Sequence, residues 1–311
     1  MSMDLHVILG TGPVGCWTAR ALDAMGHQVK AVNRTGLRPS LMRKSIDVVA
    51  LDASDPEALT RFAAGASVIY QALNPSYHQW AQYFPALQAA AIAAADATGA
   101  RYISIDNLYM YDSSATMTET SPIAPRSTKG ELRARMADEL MEAHELGTIR
   151  AAVLRSSDYY GPGVVQSAMA ERVFGNLVAG KKAQVLGSAT TPHSFAYIED
   201  VGRAAAVLGT SEEALGGIWM SPHAPARTQG EMVEKACTAL GVPLRMSVVS
   251  PMMLRLAGLT SLDAREMVEM AYEFTDPFVV DSTKIQRAFA LTPTPIDVAI
   301  ERTARWYKER A

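Results

Sequence analysis

Gly10, Gly12 and Gly15 stand in the stretch GTGPVG, directly behind the apolar run HVIL. Glycines at that spacing, after a strand and at the mouth of a helix, make a turn that holds phosphate. Gly10 allows the tight turn, Gly12 lets the backbone approach a pyrophosphate, and Gly15 lets helix and strand pack closely. The candidate cradle is therefore Gly10, Gly12, Pro13, Val14 and Gly15. A dinucleotide would rest its diphosphate on the helix N-terminus, where open N–H groups and the helix dipole favour an anion. The alternative is a glycine-rich surface turn with no ligand.

The end of the next apolar run, HQVKAVNR, bears on which dinucleotide. An NAD site places Asp or Glu there to bind the ribose 2′-hydroxyl. Here the residues are Asn33 and Arg34. No carboxylate repels a 2′-phosphate, and Arg34 can form a forked pair with one. Arg43 and Lys44 add positive charge from the following loop. The pattern predicts NADP in preference to NAD, with a solvated turn residue as the other reading of Arg34. Asp52, at the end of a third run, suits a contact with the adenine amine or a plain helix cap before DPEAL.

These residues meet only if strands and helices alternate. LHVILG, HQVKAVNR, IDVVALD, SVIYQAL, ARYISIDN and IRAAVLRSS read as six strands. Between them lie helical patterns: VGCWTARALDAMG closed by Gly26, DPEALTRFAAGA with Asp55 as cap, the Ala-rich HQWAQYFPALQAAAIAAADATG, and KGELRARMADELMEAHELG. Strand and helix in turn imply right-handed βαβ units and a parallel sheet, and near-continuous apolar strands fit a sheet covered on both faces. The fold class is α/β, a doubly wound parallel sheet. After Tyr160 the rhythm changes to shorter elements, ending in the amphipathic helix of TPTPIDVAIERTARWYKER. Residues 1–160 read as the nucleotide-binding core. Residues 161–311 read mainly as a smaller C-terminal substrate lobe, with some segments completing the core.

The chain has 311 residues, 49% hydrophobic and 20% charged, with a net charge of −3, enough for one large core or two intimate lobes. There is no basic block, so nucleic acid is not an expected partner, and no run of 18 apolar residues, so no membrane span is expected. MSMDLHVILG lacks the basic start of a signal peptide, and the cytoplasm is the expected location. The two cysteines, Cys16 and Cys237, read as buried free thiols. No HExxH or paired CxxC suggests a metal.

GTGPVG, LDASDPEAL, YQALNPSY, ISIDNLYMYD, SSDYYGPG and HSFAYIEDVGRA together resemble the extended branch of the short-chain dehydrogenase/reductase superfamily, the NAD(P)-dependent epimerases, dehydratases and reductases. The resemblance covers nearly the whole chain. It implies a Rossmann core with the substrate lobe over the sheet's carboxyl edge, and extends the cofactor contacts to Ala72, Leu73 and Asn74 in YQALNPSY. There are two departures. The branch usually shows TGxxGxxG, but position 9 is Leu9. The family's proton donor is a Tyr four residues before a Lys that holds the nicotinamide ribose, and the chain has no YxxxK. Lys129 sits where the family's Lys opens a helix, with Pro125 four before it. The family's helper Ser/Thr position falls on Asn107 if Tyr111 is matched, and on Ile105 if Tyr109 is.

Tyr109 and Tyr111 therefore stand as candidate proton donors, either one activated by Lys129 or the cofactor's charge, with Asn107 orienting a carbonyl oxygen. A merely packed aromatic loop is the other reading of NLYMY, and a solvated helix-start residue that of Lys129. Glu119 is a further acid in an exposed-looking segment. On the substrate side stand Asp158, Tyr159, Tyr160 and His193, the last also readable as a surface or core histidine. A free carboxylate at Asp158 would repel a nucleotide diphosphate by about 1 kcal/mol or more, which argues against a nucleotide sugar. Met252, Met253, Met267 and Met270 suit either an adaptable apolar lid or ordinary core. The combined expectation is an NADP-dependent oxidoreductase acting on a carbonyl or hydroxyl group of a small or medium substrate, with a homodimer favoured over a monomer. An epimerase or dehydratase that retains its cofactor, and a non-catalytic NADP-binding sensor, remain the alternatives.

Overall fold

The structure is a computed structural model that describes residues 4–310. The first three residues, on which the reading of the amino-terminal stretch partly rests, lie outside the described residues. The chain forms two compact units from interleaved segments. One holds the residues up to Met110, Thr128–Ser156 and Glu199–Ser221, and the other holds Tyr111–Ser127, Ser157–Ile198 and the residues from Pro222 onward. Where the sequence suggests one boundary at 160, the chain passes between units at 110/111, 127/128, 156/157, 198/199 and 221/222.

The first unit is built on β1 (Leu5–Leu9), α1 (Pro13–Ala24), β2 (Gln28–Asn33), β3 (Asp47–Ala50), α2 (Pro56–Phe62), β4 (Ala66–Gln71), α3 (Trp80–Thr98), β5 (Arg101–Asp106), α4 (Thr128–Glu145) and β6 (Arg150–Arg155). The strand Ile218–Met220 completes a seven-stranded sheet on the far side of β6. From there the order is β6-β5-β4-β1-β2-β3, and every neighbouring pair is parallel. The order reverses between β1 and β4, so the connections after these two strands diverge and open a crevice at their carboxyl ends.

Val7, Ile8, Leu9, Val32 and Ile69 are fully buried, as strands covered on both faces require. β3 departs from this: it forms the sheet's outer edge, and Val49 is 40% exposed. Asp55 caps α2 by accepting from the N–H groups of Glu57 and Ala58. α3 ends at Gly99, whose φ of +69° is left-handed. Its Ala90, Ala91, Ala94 and Ala95 are buried in the cluster that contains Leu9, Ile69 and Tyr102.

The second unit has its own core of Tyr160, Phe174, Val185, Phe195, Tyr197, Met232, Ile300 and Tyr307. The helices Gln229–Leu240 and Ile296–Arg310 contribute to it. Thr228 and Glu231 form a reciprocal capping box at the start of the former, and the strands Ala183–Leu186 and Met246–Val249 pair in parallel. Cys16 and Cys237 are free and buried, and burial pushes the Cys16 thiol up to about 12. Among the described residues no helix is long and apolar enough to cross a membrane. No group of three or more His, Cys, Asp or Glu among them is placed to hold a metal.

His6, on β1, is 1% exposed; its Nδ1 lies 2.9 Å from the Tyr70 hydroxyl and its ring centroid 4.4 Å from that of His27. Burial, then the neighbouring His27, lowers its pKa from 6.5 to about 4. The unfolded chain therefore takes up this proton first as pH falls. Stability held above pH 6.5 should drop by roughly 3 kcal/mol as pH falls to about 4, with no further loss from this group below that. Denaturant titrations of wild type and His6→Gln across this range should show the wild type losing that much more than the variant. Parallel pH curves would refute the assignment.

Candidate active site

The glycine turn lies at the point where strand order reverses. Gly10 has φ +98°, and a β-carbon there would come within 2.9 Å of the Ala72 carbonyl oxygen and 3.1 Å of the Leu73 nitrogen. The Ala72 N–H in turn donates to Leu9 O (2.9 Å), and Leu73 N–H donates to the Gln71 side chain (2.7 Å). Ala72 and Leu73 are thus drawn against the turn, while Asn74 is exposed. Leu9, which replaces the family's usual glycine, is a fully buried core residue of β1. A β-carbon at Gly15 would lie 2.0 Å from Gly10 O, so α1 can approach the turn only with glycine there. Gly12 is different: a β-carbon would meet nothing within 4 Å. No side chain caps the N-terminus of α1, which begins at Pro13. An uncapped helix start beside open space in front of Gly12 fits a dinucleotide diphosphate.

Asn33 does not present its amide outward. Its Nδ2 donates to Thr11 Oγ1 (2.7 Å) and Leu37 O (2.8 Å), and its Oδ1 accepts from Thr35 N–H and Gly36 N–H. The side chain ties the glycine turn to the loop after β2. Arg34 beside it is exposed. Arg43, expected to add charge for a phosphate, is paired with Asp23 at 2.6 Å. Asp52 accepts from the N–H and hydroxyl of Ser54 (3.0 and 2.7 Å), which together hold its carboxyl below the usual range. The helix cap is Asp55, the first residue of DPEAL, and not Asp52.

At the carboxyl end of β5, Asp106 carries a buried ion cluster. Arg133 donates to it through Nε (2.7 Å) and Nη2, and Arg155 Nε lies 3.7 Å away; the three side chains are 2–6% exposed. The N–H of Asn107 donates to the same carboxylate (2.7 Å), and Asn107 Oδ1 accepts from Tyr109 N–H (3.2 Å). Asn107 thus shapes the loop that presents Tyr109. One turn before Arg133 on α4, Lys129 is buried rather than solvated, with its Nζ 5.4 Å from the centre of the Tyr77 ring.

The two candidate tyrosines part company. Tyr109 is half-buried, and its hydroxyl lies 2.7 Å from that of Tyr77. Tyr111 is 2% exposed, bridges to Ile123 and donates to the Glu119 carbonyl (3.3 Å), which is a structural commitment within the second unit. Tyr77 is the residue that sequence reasoning missed. It lies 32 positions from Tyr109 and no motif links them, but β4 and β5 are neighbours, so the connections leaving them meet.

In the second unit, Asp158 Oδ2 lies 2.9 Å from Nε2 of His193, whose Nδ1 lies 3.0 Å from the Glu273 carbonyl. The His193 ring stacks on Phe274 and Phe278 and is 2% exposed, so it is a core histidine. With Asp158 paired in this way, the repulsion argument against a nucleotide sugar loses its premise of a free carboxylate. Burial, then the Asp158 charge, pushes the Glu273 carboxyl well above its ordinary range. Tyr160 is also a core residue, 2% exposed and 5.4 Å from Tyr197. Tyr159 is half-buried. Of the four methionines, Met270 is buried and Met267 packs on the core, while Met252 and Met253 are exposed.

A parallel doubly wound sheet with this turn at its switch point defines a Rossmann-type dinucleotide-binding protein. The family model for the NAD dependent epimerase/dehydratase family matches residues 7–219, and the chain belongs to that family. It is similar to a 2′-dehydrokanamycin reductase of Streptomyces kanamyceticus, 25% identical over 239 residues; the match covers 75% of this chain and 66% of that relative, just under two thirds of its length. It shares its fold with an epimerase of Methanothermobacter thermautotrophicus (TM-score 0.82, 15% identity, 99% of this chain and 93% of that one). It also shares its fold with a dTDP-glucose 4,6-dehydratase of Bacillus anthracis in complex with NAD (0.80, 15%, 98% and 97%).

The two glycines separate fold from ligand. Gly12→Ala should leave unfolding free energy within about 0.5 kcal/mol of wild type while weakening binding of the reduced nicotinamide dinucleotide, tested as NADH and as NADPH, at least tenfold by fluorescence titration. Gly15→Ala should cost about 1–3 kcal/mol of stability or more. Equal effects of both substitutions on stability would contradict this division.

Proposed function

We propose that the chain is an NADP-dependent oxidoreductase acting on a carbonyl or hydroxyl group, with Tyr109 as the proton donor. The observation that carries this reading is the Tyr109 hydroxyl beside the Tyr77 hydroxyl, with Lys129 against the Tyr77 ring. When bound, the nicotinamide supplies or accepts the hydride. The backbone of Gly10, Gly12, Val14 and Gly15 would hold the diphosphate and Arg34 the 2′-phosphate. Tyr109 gives a proton to the substrate oxygen in reduction and takes it back in oxidation. The relative named for reducing 2′-dehydrokanamycin supports a ketone of a small or medium molecule as the substrate class. With Asp158 paired to His193, its charge is no argument against a nucleotide sugar.

The family match favours a second reading, an epimerase or dehydratase that retains its cofactor. Such a protein should purify with nucleotide bound and turn over without added NADP. The missing YxxxK motivates a third, a cofactor-binding sensor without turnover.

Two measurements test the leading reading. NADPH oxidation followed at 340 nm over a carbonyl panel should fall at least 100-fold in Tyr109→Phe and change only a few-fold in Tyr111→Phe; an unaffected Tyr109→Phe would eliminate Tyr109 as donor. Arg34→Gln should weaken NADPH roughly 10- to 100-fold, the size of a lost charge-assisted hydrogen bond, and leave NADH nearly unchanged. Equal losses for both cofactors would remove the 2′-phosphate contact.

A further inference from the structure

Tyr77 has a hydroxyl that the reading above does not use. Its distance of 2.7 Å from the Tyr109 hydroxyl leaves room for one hydrogen between the two oxygens. One phenol donates to the other, and the acceptor's own hydrogen points elsewhere. If Tyr77 is the donor, the hydrogen of Tyr109 is left to face a substrate oxygen. The rings are fixed in this arrangement. Trp80, 4% exposed, stacks on Tyr109 (6.0 Å, 19°), meets Tyr77 edge-on (5.0 Å, 76°), and donates from Nε1 to Pro75 O (2.9 Å). Lys129, 6% exposed, places its ammonium 5.4 Å from the Tyr77 ring centre.

We propose that Tyr77 is a positioning and relay residue for Tyr109, a substitute built from the β4 connection for the absent YxxxK pair. The inference rests on the proposed role of Tyr109. In reduction, hydride passes from the reduced nicotinamide to the carbonyl carbon, and the Tyr109 O–H bond breaks as its proton goes to the substrate oxygen. The Tyr109 oxygen then receives the proton of Tyr77, and the half-buried Tyr77 recovers one from solvent. One hydride and one proton enter the product, and both phenols end as they began. Oxidation runs the same path in reverse. A hydrogen bond given by Tyr77 stabilises the Tyr109 phenolate, and the nearby cation does the same for Tyr77.

The substitution Tyr77→Phe keeps the ring against Trp80 and Lys129 and removes only the hydroxyl. The first readout needs no substrate: phenolate absorbance near 295 nm, titrated with pH on the folded protein. Burial pushes Tyr70, Tyr102, Tyr272 and Tyr307 above the ordinary tyrosine range, so an early step stands apart from these four of the eleven tyrosines. The wild type should show one early-titrating phenol, absent in Tyr109→Phe and moved up by about one pH unit in Tyr77→Phe. The second readout is turnover: Tyr77→Phe should lower kcat about 10- to 100-fold with KM little changed. Its kcat should also vary linearly with deuterium fraction, where the wild type curves because two protons move. If Tyr77→Phe, shown folded by its melting curve, keeps the wild-type absorbance titration, the relay is overturned even if Tyr109→Phe is inactive. If Tyr109→Phe stays active, the underlying reading fails as well.

Discussion

The buried charge cluster of Asp106, Arg133 and Arg155 organises the chemistry-bearing side of the first unit. One carboxylate at the end of β5 holds a guanidinium from α4 and another from the end of β6, and takes the N–H of Asn107. Removing one partner of such a buried group costs about 3–5 kcal/mol, because a charge is left without compensation. The cluster also sets geometry. Arg133 lies four residues after Lys129 on α4, so both side chains leave the same face of that helix. The same guanidinium lies over Phe84 (4.6 Å) and Trp80 (5.9 Å), and Trp80 aligns the two tyrosines.

The features legible in the sequence are those that depend on short spacing. Three glycines behind an apolar run, an Asp opening DPEAL, and strands alternating with helices are decided within a few residues, and the sheet, the turn and the Asp55 cap follow them. What the sequence left open depends on partners far along the chain. Asn33 and Arg34 look alike as candidates at the end of β2, but the amide of Asn33 is engaged by Thr11 of the glycine turn and by its own loop while Arg34 is exposed. Arg43 looks available until Asp23 is seen beside it. Asp158 looks like a free carboxylate until His193 closes on it.

Tyr109 and Tyr111 show the same limit at closer range. Two phenols in one short stretch are equivalent by composition. The chain passes between units directly after Met110, so the two residues belong to different units and have different partners. The hydroxyl of Tyr111 meets a carbonyl and that of Tyr109 meets another phenol. The Tyr77–Tyr109 contact follows from strand order alone, since β4 and β5 lie side by side while α3 separates them in sequence.

The interleaving of the two units bears on how the protein is made. The first unit needs the strand Ile218–Met220 and the helix Ile198–Thr210, so it is incomplete until more than two thirds of the chain has left the ribosome. At about 5–20 residues per second, β6 waits several seconds with one edge unpaired before its last neighbour emerges. During that interval residues 157–198, which belong to the other unit, emerge without the helices Gln229–Leu240 and Ile296–Arg310 that complete their core. Neither unit can finish before the other has begun, so vectorial synthesis offers this chain no early folded intermediate made of a single complete unit.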